Sequence, residues 1–222
     1  MRESPRRHAN CTNGLPRVVI ADDHAVVAEG LCSILQKSCN VIGIVRDGRE
    51  LLAEAPKLKP DLIVLDIGMP ALNGLDAAGQ LKQVLPNVKF VFLTMKDDPN
   101  LAAAALNLGK VGYVLKHSLS SELLHAVSEV LQGNTYVTPR LRSEDWVVQG
   151  LRARQFSKDL TPRQKEVLQL LAEGRPMKEV AQILKVSEKA IMFHKYRIMA
   201  SFNLKNNAEL VLFALKHHLI SS

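Results

Sequence analysis

The stretch Leu62-Ile63-Val64-Leu65-Asp66-Ile67-Gly68-Met69-Pro70 decides the fold. Four consecutive aliphatic residues without polar alternation read as a strand buried on both faces, and Gly68 and Pro70 mark the turn that follows. Asp66 is therefore held where a strand meets solvent. Three other runs end in the same manner: Val18-Val19-Ile20-Ala21 in Asp22-Asp23, Val88 to Leu93 in Thr94, and Gly112-Tyr113-Val114-Leu115 in Lys116. If these strands are parallel neighbours, three carboxylates, a hydroxyl and an ammonium converge on the carboxyl edge of one sheet, where open α/β folds build their sites. Such a cluster can hold a divalent metal and accept a phosphoryl group.

Outward from that stretch, short β-rich runs (18–21, 41–45, 62–65, 88–94, 112–115) alternate with segments of helical period at 25–37, 48–58, 74–85, 98–107 and 120–132. The pattern predicts an α/β domain over 17–133, a doubly wound sheet of five parallel strands, with Gly133-Asn134 as its stop signal. Residues 1–16 carry Arg2, Arg6 and Arg7 with no apolar core behind them, which argues against a secretory signal and for a disordered extension. Residues 134–157 read as a linker with room for a short helix. From 158 to 222 the pattern is all-α. Thr161-Pro162 starts a helix that Gly174 ends, and further helices are expected at 177–184, 188–201 and 206–217. Two short helices around a tight turn, the second rich in Lys, His and Arg, form a helix-turn-helix.

At 222 residues and 47% hydrophobic content, the chain can bury proper cores. No run approaches the roughly 20 apolar residues needed to cross a bilayer, so no membrane partner is expected. Cys11, Cys32 and Cys39 form no CxxC pair, which points to a reducing, cytoplasmic setting with neither a disulfide framework nor a zinc site. Charge is unevenly placed: residues 17–132 hold 11 basic and 13 acidic side chains, residues 151–222 hold 13 basic and 6 acidic. A basic helical module beside a mildly acidic α/β one suggests nucleic acid as its partner, with a solvated basic face as the bland alternative.

At this level of detail the chain resembles two-component response regulators of the NarL/FixJ type, over almost all of Arg17 to Leu219. The receiver half of the resemblance, a flavodoxin-like fold, rests on Asp22-Asp23, Asp66 with Met69-Pro70, Asn73-Gly74-Leu75, Leu93-Thr94-Met95 and Gly112-Tyr113 before Lys116. Its LuxR-type half rests on Leu160-Thr161-Pro162-Arg163, Glu166-Val167-Leu168, Glu173-Gly174, Lys178-Glu179-Val180-Ala181 and His194. Each motif is weak alone; their joint order and spacing is specific. The resemblance implies that Asp66 accepts a phosphoryl group from a sensor histidine kinase and that Asp23, Asp66 and the Gly68 carbonyl bind Mg²⁺, with Asp22 acting through water. It implies further that Lys116 pairs with the phosphate, and that Thr94 and Tyr113 form the switch. Ser187, Lys189, Ala190, Met192, His194, Lys195 and Arg197 then become the double-stranded DNA contacts of a transcription regulator that works as a homodimer when phosphorylated, and not as a turnover enzyme.

Blander readings stand beside these. Asp22-Asp23 could cap the following helix, Lys116 could be solvated, Tyr113 a half-buried strand aromatic, and His117 an exposed loop residue. Glu166 is expected to anchor helix packing through an ion pair instead of touching DNA. His217-His218 reads as a helix C-terminal cation pair, and Val211, Phe213, Ala214 and Leu215 as core with part of that face pairing two chains. Departures from the family pattern are Pro176-Met177 where Ser-Asn is usual, Lys110 for a small residue, Ser201-Phe202 for Lys-Leu, and Ala190 and Met192 in the recognition helix. Met192 has two readings of equal standing: packing on a thymine methyl group, or filling the core. A rival function is a phosphotransfer or protein-interaction regulator that has lost specific DNA binding. A haloacid dehalogenase-like phosphohydrolase would need an acid two residues beyond Asp66, where Gly68 stands.

Overall fold

The computed structural model describes residues 14–141 and 160–220, and each of the five β-rich runs named above forms a strand. These are β1 (Arg17–Ala21), β2 (Asn40–Val45), β3 (Leu62–Asp66), β4 (Lys89–Thr94) and β5 (Gly112–Leu115), joined by β6 (Tyr136–Val137). All pair in parallel in the order β2-β1-β3-β4-β5-β6. The expectation of five strands is corrected by β6, which lies in the segment read as linker. With two residues it offers no periodicity to read; it exists because Tyr136 and Val137 lie in register with Gly112 and Tyr113.

Helices α1 (Ala25–Leu35), α2 (Gly48–Leu58), α3 (Gly74–Val84), α4 (Pro99–Leu106) and α5 (Leu119–Leu131) cover the two sheet faces. Strand side chains alternate between them. Ile63, Leu65, Phe90, Phe92 and Tyr113 join the core of α2, α3 and α4, while Leu62, Val64, Val91, Leu93 and Val114 join that of α1 and α5. Both faces are covered, hence the unbroken hydrophobicity of β3. The crossover between β1 and β3 is the topological switch point, where β3 ends in Asp66 and β1 is followed directly by Asp22.

The second half consists of α6 (Pro162–Ala172), α7 (Met177–Leu184), α8 (Glu188–Ser201) and α9 (Asn207–Lys216). Thr161 and Gln164 form a reciprocal capping box at the start of α6, and the Ser187 hydroxyl accepts the Ala190 N–H at the start of α8. Pro176 leaves α7 without a side-chain cap, as its sequence predicts; Arg175 pairs instead with Glu179 in the first turn. Val167, Leu170, Val180, Leu184 and Ile191 form one small core, and Leu168, Ile198, Leu210 and Ala214 a second. No helix among the described residues is long and apolar enough to cross a membrane. Of the extension expected over 1–16 and the linker expected over 134–157, residues 1–13 and 142–157 lie outside the described residues.

Candidate functional site

The strand ends bring the predicted residues together. Lys116, just past β5, places its Nζ 2.7 Å from Asp22 Oδ2 and 2.9 Å from Asp66 Oδ2, so one ammonium bridges the carboxylates that close β1 and β3. Asp66 is 6% exposed and accepts the Gly68 N–H at 3.2 Å. Burial pushes its carboxyl above the usual carboxylate range, against the pull of Lys116. Burial also works against the charged form of Lys116, but Asp66 and Asp22 beside it hold its pKa above the ordinary lysine value. Thr94 ends β4, is buried, and accepts the Lys96 N–H through its hydroxyl at 3.0 Å. Tyr113 is fully buried; burial raises its pKa, Asp98 and Asp97 add to the rise, and a hydrogen bond with Thr94 works the other way.

The capping reading of Asp22-Asp23 fails, because α1 begins at an N-cap, His24, that makes no side-chain capping bond. Asp22 instead takes the His24 N–H at 2.9 Å, and the His24 ring approaches Asp23 at 2.9 Å. One ligand atom from each of Asp22, Asp23, His24 and Asp66 lies within 4.8 Å of the others. The carboxylate oxygens suit a hard divalent cation. His24 was not singled out from the sequence; its place directly after two aspartates was the available signal. His117 is exposed, as expected.

The two halves dock through α6. Gln169, 1% exposed, accepts the Asn73 N–H at 2.9 Å and donates to the Met69 carbonyl at 3.1 Å, while Glu173 accepts the Ala71 N–H at 2.9 Å. Lys165 meets Asp76 at 3.2 Å, and Glu166 meets Arg49 at 3.2 Å and Gln80 at 3.0 Å. Farther along the edge, His218 pairs with Asp98. Three of these contacts hold the main chain that immediately follows Asp66, including Ala71, whose φ of 64° is unfavourable for a residue with a Cβ. Glu166 thus forms the ion pair its sequence suggests, with Arg163 in its own helix at 2.9 Å, and a second one across the domain contact with Arg49. Gln169 and Glu173 went unread because polar residues at helical spacing look the same whether they face water or a partner surface.

On α8, Lys189, Met192 and Arg197 are exposed, Ala190, His194 and Lys195 are half-buried, and Ile191 and Ile198 are core. Met192 is 41% exposed, which removes the core reading of that residue. Burial, with Arg163 and Arg197 nearby, lowers the His194 pKa and favours the neutral ring.

The response regulator receiver domain family matches residues 18–128, and the family of bacterial regulatory proteins described as luxR matches residues 158–214. The chain belongs to the response-regulator family. Among curated response regulators it is similar to the oxygen regulatory protein NreC of Staphylococcus epidermidis, 38% identical over 92% of this chain and 99% of that one. Among solved structures, RcsB of Salmonella typhimurium aligns with TM-score 0.62 and 28% identity, covering 90% of this chain and 96% of that chain. An RcsB–DNA complex aligns with TM-score 0.53 and 29% identity, over 90% and 97%. This response regulator is therefore a phosphorylation-controlled, DNA-binding transcription regulator, with an α/β receiver followed by a helix-turn-helix domain.

Gln169→Ala leaves a buried N–H and a buried carbonyl of the Asp66 loop without their partner, a loss of about 1–3 kcal/mol. We expect the Asn73 amide to exchange its hydrogen at least about fivefold faster in this variant, the factor that corresponds to about 1 kcal/mol. Unchanged Asn73 protection would show that Gln169 does not hold the docked state.

Proposed function

We propose that Asp66 is the phosphoacceptor and that its phosphorylation is read by the loop that α6 grips. The observation that carries this is the Lys116 bridge between Asp22 and Asp66 at the sheet's switch point. A carboxylate oxygen of Asp66 forms the bond to phosphorus as the phosphorus–nitrogen bond of a sensor kinase's phosphohistidine breaks, and the leaving imidazole keeps the bonding electrons. Asp22, Asp23, Asp66 and the Gly68 carbonyl would hold Mg²⁺, which when bound neutralises charge on the phosphoryl oxygens. Lys116 is already a buried ammonium and is positioned to exchange Asp66 for a phosphoryl oxygen. Thr94 donates its hydroxyl to the same group, and Tyr113, packed beside Thr94, follows the change. A phosphoryl group adds about −1.5 to −2 charges, enough to shift the short loop from Ile67 to Asn73 and so the grip of Gln169 and Glu173.

The helical domain docks through α6 and leaves α8 outward, so the reading includes DNA contact by Lys189, Met192 and Arg197, with Ser187, Ala190, His194 and Lys195 on its margins. RcsB is described as dimers bound to DNA, and as bound to promoter DNA in the presence of the phosphomimetic BeF₃⁻. By analogy, this chain acts as a cytoplasmic homodimer on paired half-sites once phosphorylated.

Genome-wide capture of DNA fragments by the phosphorylated and unphosphorylated protein tests this. Enrichment of discrete sites that strengthens on phosphorylation is the expected result; uniform weak capture in both states favours the protein-interaction alternative. In salt titrations on an enriched site, Lys189→Ala should flatten the slope of log affinity against log salt by about one.

A further inference from the structure

Lys189, Met192, Phe193, Tyr196 and Arg197 stand at i, i+3, i+4, i+7 and i+8 of α8, which is a single helix face, and all five are exposed. The middle of that face is apolar: Met192 is 41% exposed, Phe193 58% and Tyr196 63%. The domain's cores are closed by Ile191 and Ile198, and α6 docks on the receiver without covering this face. Its two ends are cationic. The Arg197 guanidinium lies 5.7 Å from the Phe193 ring centroid, and the ring meets His194 edge-on at 5.8 Å, so Phe193 is held in place at the surface. A merely solvated face does not gather three large apolar side chains. A purely apolar partner would leave the cations unused, whereas duplex DNA offers phosphates to the ends and one apolar group, the thymine methyl, to the middle.

We propose that Phe193, supported by Met192 and Tyr196, selects thymine by packing on its 5-methyl group in the major groove, with Lys189 and Arg197 on the flanking phosphates. This rests on the reading of α8 as the DNA-contacting helix and names what it recognises there. Phe193 sits at the centre of the stripe, four residues from each cation, and lies outside the residues expected from the sequence to contact DNA, among which Met192 is the one given the thymine methyl.

The test uses the full chain phosphorylated with acetyl phosphate. Its preferred duplex is selected from a random pool, and each thymine is then replaced singly by deoxyuridine, which removes the methyl group and nothing else. We expect at least one position per half-site where deoxyuridine weakens binding about fourfold, the factor for one buried methyl-sized group. Phe193→Ala should abolish that sensitivity and leave the salt slope unchanged, while Phe193→Leu should retain part of it. A selected duplex indifferent to every deoxyuridine substitution overturns the proposal and leaves DNA binding standing. If the unsubstituted chain selects no motif at all, both readings fall. Self-association of the chain that Phe193→Ala removes, with thymine sensitivity intact, would assign the stripe to a second copy of the chain and overturn the proposal.

Discussion

Asp66→Asn should take up no phosphoryl group from acetyl phosphate and Mg²⁺, whereas the unsubstituted chain should carry one, on Asp66. The expectation is for complete loss, because an amide nitrogen or oxygen is a poor nucleophile beside a carboxylate and the other two aspartates sit differently. Asp22 is fully buried and salt-bridged to Lys116, and Asp23 faces His24 from the start of α1. Asn matches Asp in shape and keeps an acceptor for the Gly68 N–H, and Lys116 retains Asp22, so the variant should remain folded with an unchanged circular dichroism spectrum. Mass spectrometry of peptides from both proteins decides the matter. A phosphoryl group on any other residue, or labelling of the unsubstituted chain that survives a chelator, sinks the assignment.

Gly74→Ala should be the most damaging single-methyl change in the receiver that also strikes the site. A Cβ at position 74 would lie 2.2 Å from the Asp66 carbonyl oxygen and 3.0 Å from a Leu65 methyl. Main chain cannot swing aside as a side-chain tip can, so the start of α3 and the end of β3 must part. We expect a cost of about 3 kcal/mol, the upper end for overpacked positions, and a melting temperature lower by about 10 °C. Phosphoryl uptake should fall with it, since the displaced atoms belong to Asp66, the proposed phosphoacceptor. Gly79→Ala is the control: its Cβ would meet nothing nearer than Leu108 at 4.0 Å, and an alanine inside a helix is worth about 0.5–1 kcal/mol over glycine. Thermal melts of the two variants side by side check the contrast. Equal stability would show that the close approach at Gly74 is not maintained.

Phe193 and Gln169 show where sequence reading stops. Phe193 sits between Met192 and His194 in a helix with apolar residues all round, so period alone assigns it to core as readily as to surface. Gln169 lies on the polar side of an amphipathic helix, where water and a docked domain demand the same residue types.

By itself, the sequence determined five of the six receiver strands and the residues that close them, the four helices of the second domain, and, for strands that are parallel neighbours, the convergence of Asp22, Asp66, Thr94 and Lys116. These follow from local chemistry: unbroken aliphatic runs must be buried on both faces, and a charged residue ending such a run must sit at the sheet's edge. Only the tertiary structure decided that β6 completes the sheet, that Lys116 bridges two carboxylates, that α6 grips the loop after Asp66, and which side of α8 faces outward. Those depend on pairings between residues far apart in the chain, such as Gly112 with Tyr136 and Asn73 with Gln169, for which neither partner carries a local signature.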